Sequence, residues 1–304
     1  MKENIGAWLA LSRLPFHLVG VLPFILGSLL AWQNLGVLRW DIFLLGVAGV
    51  VLIMLATYWA GEYWDYDVDS LSAQKGSSRF AGGSQVLQRG LIQRRSALYA
   101  SLIAITLAAT LGIVLQFIFL TGIWTIPLGI MGIIGGFFYS AKPIRWVSRG
   151  IGEIWIAFNY GWLPVATAFY LQVRLFVPLI HFLAIPIGLT IFNVILLNEF
   201  PDYEADKETG KNNLVVRLGM RQAAILYALI GFASWVTMFF SLTWGFSILS
   251  CFLYFPVLIL SVSLVTLILR GSWQNRDTLE KLCGLTIIVN LGTTIVYILA
   301  LLVL

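Results

Sequence analysis

Charged side chains are scarce in this sequence. Only 11% of its 304 residues are Asp, Glu, Lys or Arg, whereas 60% are hydrophobic. A soluble domain carries about 25% charged residues, so a water-soluble fold of this length would lack the polar side chains to cover its surface. The scarcity excludes a cytosolic enzyme and a disordered chain, and it predicts a polytopic membrane protein embedded in a lipid bilayer.

Cysteine and histidine are scarce as well, with two of each. Cys251 and Cys283 lie in or beside apolar runs and have neither a metal-site spacing nor a disulfide framework, which excludes a secreted disulfide scaffold. His17 and His181 have no metal-ligating neighbour at a useful spacing. The net charge is +5, but basic residues in a membrane protein usually set its orientation. We therefore expect no nucleic-acid partner.

Long hydrophobic runs occupy most of the chain. A bilayer crossing needs roughly 20 mostly apolar residues, and nine stretches meet this requirement. They lie at residues 9–32, 40–61, 95–116, 120–141, 150–172, 178–199, 221–241, 244–269 and 282–303. The sequence therefore predicts an all-α membrane protein with nine transmembrane helices.

The basic residues are distributed unevenly between the two sides of the predicted bundle. Arg39 and Arg174 fall in connections on one side, and the other 17 of the 19 basic residues fall on the opposite side. Because cytoplasmic loops are enriched in Lys and Arg, the basic side is predicted to be cytoplasmic. This orientation places the N-terminus inside and, after an odd number of spans, the C-terminus outside.

Nine of the fourteen acidic residues fall in two short clusters, each on the basic side at the end of a predicted span. Residues 61–69 (GEYWDYDVD) align without a gap over residues 198–206 (NEFPDYEAD), 137 positions later. Repeats in membrane proteins often place a site at the repeat interface. We therefore predict a single domain over residues 1–304, with pseudo-repeat halves at about 1–140 and 141–304.

The spacing within each cluster predicts one acidic face in each half. Asp65 and Asp69 are four residues apart, as are Asp202 and Asp206, and side chains at i and i+4 share a helix face. Asp67 should point away from that face. Two such faces brought together need a cation, and carboxylate oxygens suit Mg²⁺ bound together with substrate phosphates.

Basic residues follow each acidic cluster and suit a diphosphate ligand, since Lys and Arg pair with phosphate oxygens. Arg79 and Lys211 are the preferred candidates, and Lys75 and Arg145 are further ones. The alternative for each of them is a role in orientation or in contact with lipid headgroups.

At the acidic clusters the sequence resembles the UbiA-type intramembrane prenyltransferases. Glu62, Asp65 and Asp69 resemble the first aspartate-rich motif of that family, approximately N-D-x-x-D-x-x-x-D. Asp202 and Asp206 resemble its second motif, D-x-x-x-D. The segments YSAKPIR and DKETGKNNLVVRLG, and the RLPF and LPFILG stretches near the N-terminus, resemble further family motifs, so the likeness covers nearly the whole chain.

The resemblance implies a nine-helix bundle that transfers a polyprenyl group from polyprenyl diphosphate to an acceptor, usually an aromatic one, with Mg²⁺ as cofactor. It implies catalytic roles for the four aspartates of the two motifs. It implies a metal site formed by Glu62, Asp65, Asp69, Asn198, Asp202 and Asp206. One departure is Gly61, which stands where the first motif usually has Asn.

Two parts of the sequence indicate different acceptors. Residues 80–92 and 210–219 look most like the menaquinone branch, which prenylates 1,4-dihydroxy-2-naphthoate. The spacing of Asp65 and Asp69 instead resembles the 4-hydroxybenzoate, chlorophyll and ether-lipid branches, so these acceptors stay open. Arg13 and Asn159 are candidate acceptor-binding residues, with headgroup contact and interhelical hydrogen bonding as their respective alternatives.

A function of another class is a cation or metabolite transporter with acidic inner gates. Transport sites usually lie near the middle of the bilayer, whereas the acidic clusters lie at the ends of predicted spans. Their position favours an enzyme that works at the cytoplasmic face.

Overall fold

A computed structural model describes residues 2–36, 38–76, 78, 80–242 and 249–303. Within these residues the regular structure is helical and no strand occurs. The α-helices are α1 Lys2–Leu11, α2 Leu18–Leu35, α3 Trp40–Trp64, α4 Tyr66–Lys75, α5 Arg94–Phe117, α6 Thr125–Ser140, α7 Gly152–Ala157, α8 Leu163–Val173, α9 Pro178–Asn198, α10 Tyr203–Glu208, α11 Leu214–Leu218, α12 Met220–Leu242, α13 Leu249–Leu269 and α14 Arg276–Val303.

Seven helical segments in the described part of the chain are long and apolar enough to cross a bilayer. They are Ile5–Gln33, Trp40–Trp64, Arg94–Phe117, Pro178–Asn198, Met220–Ser241, Cys251–Leu269 and Arg276–Leu302. Each coincides with a predicted span, although residues 244–248 of one prediction lie outside the described residues.

The other two predicted spans are shorter or interrupted. The prediction for residues 120–141 places the start too early, because Leu120 and Gly122 adopt positive φ angles of 55° and 106°. The backbone leaves helical geometry at these two residues, and α6 begins only at Thr125. The span predicted at residues 150–172 is not one continuous α-helix. It consists of α7, a π-helical turn at Phe158–Trp162 and α8.

Pro164 explains the π-helical turn. In a regular α-helix the backbone N–H of residue 164 would donate to the carbonyl of Tyr160, and proline has no N–H to donate. The turn widens before the proline, as it often does at functional sites. The widened turn carries Asn159 and Tyr160, and Tyr160 lines the candidate site described below.

Glycines let the helices of the bundle pack at short distances. A Cβ added at Gly27 would lie 2.2 Å from the carbonyl oxygen of Val165, and one added at Gly161 would lie 2.6 Å from the Cα of Gly188. Small residues of this kind allow helix backbones to approach closely in membranes. The contacts join α2 to α8 and the π-helical turn to α9.

Candidate active site

The C-terminal ends of α3 and α9 face one cavity of about 210 Å³. Both acidic clusters contribute to its wall, so the structure brings together residues 137 positions apart. The predicted site residues that line it are Arg13, Glu62, Asp65, Asp69, Asn198, Asp202, Asp206 and Lys211.

Each acidic cluster continues as a helical turn beyond the end of its long helix. Asp65 separates α3 from α4, and the backbone N–H of Asp69 donates to the carbonyl of Asp65 at 2.8 Å. Asp206 makes the same bond to Asp202, also at 2.8 Å. The i,i+4 geometry places the carboxylates of both pairs on the cavity wall, whereas the side chain of Asp67 is 81% exposed.

A glycine loop from the first half connects the two clusters. The backbone N–H of Gly82 donates to Asp202 Oδ2 at 2.7 Å, and Ser84 donates to Glu62 through its backbone N–H at 2.7 Å and its hydroxyl at 3.0 Å. Gly82 and Gly83 have φ angles of +71° and +70°, which glycine adopts without steric cost. A Cβ at Gly83 would lie 2.2 Å from Asp69 Oδ2, so the loop packs directly onto the carboxylate.

Two arginines in strained backbone positions pair with the first cluster. Arg13 Nη2 lies 3.0 Å from Glu62 Oε1, and Arg145 Nη2 lies 2.9 Å from Asp65 Oδ1. Their φ angles are 47° and 49°, in the left-handed region that is uncommon for residues other than glycine. Such strain clusters at functional sites. Ser140 also donates to Asp65, at 2.5 Å.

The site holds buried carboxylates in excess of the cations that pair with them. Burial holds the pKa of the Asp69 carboxyl well above its usual range, and the neighbouring negative charge of Asp65 is the next largest cause. Burial raises the pKa of Asp206 to about 6, against the opposing effect of Lys211. Burial would lower the pKa of Lys211, but the charges of Asp206 and the other three aspartates raise it above its usual value. A further cation would relieve this repulsion.

The donor set fits a hard divalent cation only when other ligands complete it. Within the described residues, no group of three or more acidic, histidine or cysteine side chains converges closely enough to enclose an ion. Asn198 Oδ1 is buried at the cavity and accepts no hydrogen bond from any described residue. Mg²⁺ commonly binds through one or two carboxylates together with substrate phosphates, which matches this partial set of oxygen ligands.

A model of the UbiA prenyltransferase family matches residues 21–300 of the chain. The chain belongs to this family. UbiA-family membership makes it a prenyltransferase, and its long apolar helices make it an integral, multi-pass membrane protein.

One relative of this UbiA-family chain is 1,4-dihydroxy-2-naphthoate octaprenyltransferase of Escherichia coli K12. The two sequences are 28% identical over 219 aligned residues, which cover 70% of this chain and 68% of the relative. A structure of digeranylgeranylglyceryl phosphate synthase superposes with a TM-score of 0.69 at 18% identity, covering 99% of this chain and all of the other. A UbiA homologue from Archaeoglobus fulgidus, bound to GPP and Mg²⁺, gives a TM-score of 0.62 at 18% identity, covering 96% and 99%. Both structures share the fold of this chain.

Some predicted site residues lie apart from the acidic cavity. Lys75 forms an ion pair with Glu208 and does not line the cavity. Asn159 lines a neighbouring apolar cavity, where its side-chain amide donates to the carbonyl of Trp155 at 2.8 Å. Arg79 lies outside the described residues.

Two buried residues that the sequence analysis did not select support the second cluster. Asn213 donates to Asp206 Oδ2 at 2.7 Å, and its Oδ1 accepts the backbone N–H of Val216 at 2.9 Å, which caps α11. Glu153 accepts the backbone N–H of Leu214 at 2.9 Å. Glu153 is an ionisable residue inside a predicted span, and such residues are functional candidates by default, so a signal for it was present.

Proposed function

We propose that this chain catalyses the Mg²⁺-dependent transfer of a polyprenyl group from polyprenyl diphosphate to an aromatic acceptor in quinone biosynthesis. The observation that carries the proposal is the convergence of two repeat-related carboxylate clusters and Lys211 on one cavity. Carboxylates, a cation and a buried amide oxygen form a binding site for a metal and a diphosphate together. The A. fulgidus homologue bound to GPP and Mg²⁺ has the same fold, which supports this assignment.

The metal would be held by oxygen atoms from both halves of the chain. One or two carboxylates at a time, together with the phosphates of the donor, would complete the coordination. The residues proposed to supply these oxygen atoms are Glu62, Asp65, Asp69, Asn198, Asp202 and Asp206. When bound, Mg²⁺ supplies a Lewis acid that stabilises the negative charge of the departing diphosphate.

Lys211 and Arg145 act on the diphosphate. Lys211 Nζ lies 3.4 Å from Asp206 Oδ1, and Arg145 pairs with Asp65, so both cations already lie beside the proposed metal ligands. In the reaction the bond between the prenyl C1 carbon and its oxygen breaks, and the electron pair leaves with the diphosphate. Charge-assisted hydrogen bonds from these two side chains would stabilise that leaving group.

Aromatic side chains face the place where the allylic cation would form. The rings of Tyr58, Tyr139 and Tyr160 line the acidic cavity, and aromatic faces attract cations. A carbon of the acceptor ring then forms the new bond to C1. The same carbon releases its substituent to restore the aromatic ring: a proton is taken up by water, and a carboxyl group leaves as CO₂.

Among acceptors we propose 1,4-dihydroxy-2-naphthoate, the substrate in the printed name of the E. coli relative. Arg13 lines the cavity and pairs with Glu62. A guanidinium has five N–H donors, so Arg13 can pair with Glu62 and with an acceptor carboxylate at once. The competing acceptors are 4-hydroxybenzoate, a chlorophyllide-type ring and an ether-lipid precursor.

We also propose the topology. The short helix α6 and the interrupted α7–α8 segment would supply two further crossings, which gives nine spans. The basic loops and the acidic cavity would then lie on the cytoplasmic side, together with the N-terminus.

The test is a transfer assay with purified protein in nanodiscs, Mg²⁺, radiolabelled prenyl diphosphates of several chain lengths, octaprenyl diphosphate among them, and each acceptor separately. We expect a prenylated product with 1,4-dihydroxy-2-naphthoate and less product with the others. Product from 4-hydroxybenzoate alone would overturn the acceptor assignment and keep the reaction class. The absence of product from every donor and acceptor would overturn the reaction class itself.

A further inference from the structure

Glu199 occupies the position in the second acidic cluster that Glu62 occupies in the first, 137 residues earlier. Both carboxylates line the acidic cavity, but their surroundings differ. Glu62 accepts one hydrogen bond from Arg13 and two from Ser84. Neither side-chain oxygen of Glu199 accepts a hydrogen bond from any described residue, although Glu199 is only 7% exposed. The second half of the site therefore holds a buried carboxylate without the donors that its counterpart has.

The loop that follows the second acidic cluster donates its hydrogen bonds to other carboxylates. Asn213 donates to Asp206 Oδ2 at 2.7 Å. The backbone N–H of Leu214 donates to Glu153 Oε1 at 2.9 Å. In the first half, by contrast, the loop after the acidic cluster reaches the glutamate itself. The difference in loop contacts leaves Glu199 without a donor.

The carboxyl group of Glu153 lies within hydrogen-bond reach of Glu199. Its Oε1 already accepts the N–H of Leu214, and its Oε2 accepts no hydrogen bond from a described residue. A proton held between the two carboxyl groups can satisfy one oxygen of Glu199 at most, so the other oxygen still needs a donor. A buried acceptor without a donor is unfavourable. Native proteins retain such groups mainly at functional sites, where a ligand can satisfy them.

We propose that Glu199 binds a hydroxyl group of the acceptor and so selects acceptors that carry a hydroxyl at that position. This inference rests on the proposed function. A carboxylate repels the diphosphate of the donor and the carboxylate of the acceptor. A hydroxyl group instead donates a charge-assisted hydrogen bond to it. Of the polar groups on the two substrates, the acceptor hydroxyl is the one that complements Glu199.

The position of Glu199 also suits contact with the acceptor. Tyr139 and Glu199 line the same cavity, and Glu199 is the carboxylate whose charge acts most strongly on the Tyr139 hydroxyl. The Tyr139 ring is one of those proposed above to face the allylic cation. An acceptor ring must lie next to that cation to react with it, which brings its hydroxyl within reach of Glu199. Arg13 would hold the acceptor carboxylate in the same cavity.

The experiment removes the hydroxyl from the acceptor and the carboxylate from the protein, separately and together. Dissociation constants are measured by isothermal titration in nanodiscs, with Mg²⁺ and a non-transferable thiolodiphosphate donor analogue bound, so that binding is observed without turnover. The acceptors are 1,4-dihydroxy-2-naphthoate and its two analogues that each lack one hydroxyl, 1-hydroxy-2-naphthoate and 4-hydroxy-2-naphthoate. The pair of 4-hydroxybenzoate and benzoate is measured in the same way.

The protein variants are Glu199→Ala and Glu199→Gln. Both should keep the thermal stability of wild type, because no described hydrogen-bond donor loses its partner when the carboxylate is replaced. Glu204→Gln is the matched control. Glu204 belongs to the same acidic cluster, but it is exposed and lies outside the lining of the acidic cavity.

In wild type, removal of the hydroxyl that Glu199 binds should weaken acceptor binding roughly 10- to 150-fold, the range for a hydrogen bond to a charged group. In Glu199→Ala the parent acceptor should bind more weakly by a similar factor. The analogue without that hydroxyl should then bind Glu199→Ala as well as the parent does. Glu199→Gln keeps an acceptor oxygen without the charge and should give an intermediate loss, whereas Glu204→Gln should match wild type.

Losses that add when the hydroxyl and the carboxylate are both removed would overturn the proposal, because they would show that the two groups do not interact. Unchanged acceptor binding in Glu199→Ala would overturn it as well. Weaker binding of the donor analogue or of Mg²⁺, with unchanged acceptor selectivity, would assign Glu199 to the metal and diphosphate instead. Failure of wild type to bind any of these acceptors is a different outcome, because it would overturn the proposed function on which the role of Glu199 depends.

Discussion

The backbone N–H of Gly82 donates a 2.7 Å hydrogen bond to Oδ2 of Asp202, which lies 120 residues later in the chain. Ser72 of α4 donates to the other oxygen of the same carboxylate. The first half of the chain therefore orients the central aspartate of the second half. The helices α4 and α10, which follow the two acidic motifs, pack against each other beside this contact. The two motifs thus form a single site rather than two separate ones.

We predict that Gly83→Ala abolishes transfer. Its added Cβ would lie 2.2 Å from Asp69 Oδ2, so either the loop or the carboxylate must move. Gly90→Ala is the matched control, because Gly90 has nearly the same φ, +69°, and an added Cβ meets no described atom within 4 Å. A left-handed alanine costs about 1–2 kcal/mol at either position, so thermal stability should fall similarly while activity falls only in Gly83→Ala. Equal activity in the two variants would contradict this role of the loop.

We predict that Asp65→Ala and Asp202→Ala each reduce kcat/KM by at least about a hundredfold, a size typical of removing a group that stabilises transition-state charge. Both carboxylates line the cavity. Asp67→Ala should have a mild effect, because the Asp67 side chain is 81% exposed and pairs with Arg94 at 3.8 Å. A comparable loss in Asp67→Ala protein that remains folded would contradict the assignment of the acidic face.

The carboxylates of the site could be predicted from the sequence, because the patterns that identify them lie within short stretches of the chain. The alignment of residues 61–69 with residues 198–206 and the i,i+4 spacing of the aspartates identify which carboxylates meet. Seven spans could be predicted for the same reason, because a run of about 20 apolar residues is itself the signal of a membrane-spanning helix.

The hydrogen bonds that hold these carboxylates in place could not be predicted, because they depend on tertiary packing. Nothing near Asn213 in the sequence indicates that its amide reaches Asp206, and Ser140 gives no sign of its bond to Asp65. Gly82 and Gly83 indicate a turn, but the partner of the Gly82 N–H lies in the other half. The interruption before Pro164 could not be predicted from the apolar run at residues 150–172, because that run continues through the proline that removes one helical hydrogen bond.

We predict that Asn213→Asp impairs transfer while preserving the fold. Aspartate still caps α11 through a side-chain oxygen, but it replaces the amide that donates to Asp206 Oδ2 with a like charge. KM for the diphosphate donor and the Mg²⁺ concentration needed for half-maximal activity should both rise. Thermal stability comparable to wild type, measured in the same nanodiscs, would show that the helix cap survives. Unchanged Mg²⁺ dependence would contradict a positioning role for Asn213.

We predict that Arg13→Lys raises KM for the acceptor about tenfold and changes KM for the donor little. Lysine keeps the charge opposite Glu62 but lacks the planar fork that binds two carboxylates. Arg39→Lys is the control, because Arg39 pairs with Asp41 and lies outside the lining of the acidic cavity. A larger change in the donor KM than in the acceptor KM would assign Arg13 to the diphosphate instead.

Both acidic clusters together are proposed to hold Mg²⁺ and the diphosphate. The most direct measurement is the Mg²⁺ dependence of prenyl transfer in chelator-treated wild type and in Asp202→Asn, whose shape is conserved. We expect no transfer by wild type until Mg²⁺ is restored. We also expect the Mg²⁺ concentration that Asp202→Asn needs for half-maximal activity to be severalfold higher or more. Full turnover in the presence of chelator, or identical Mg²⁺ curves for the two proteins, would contradict this proposal.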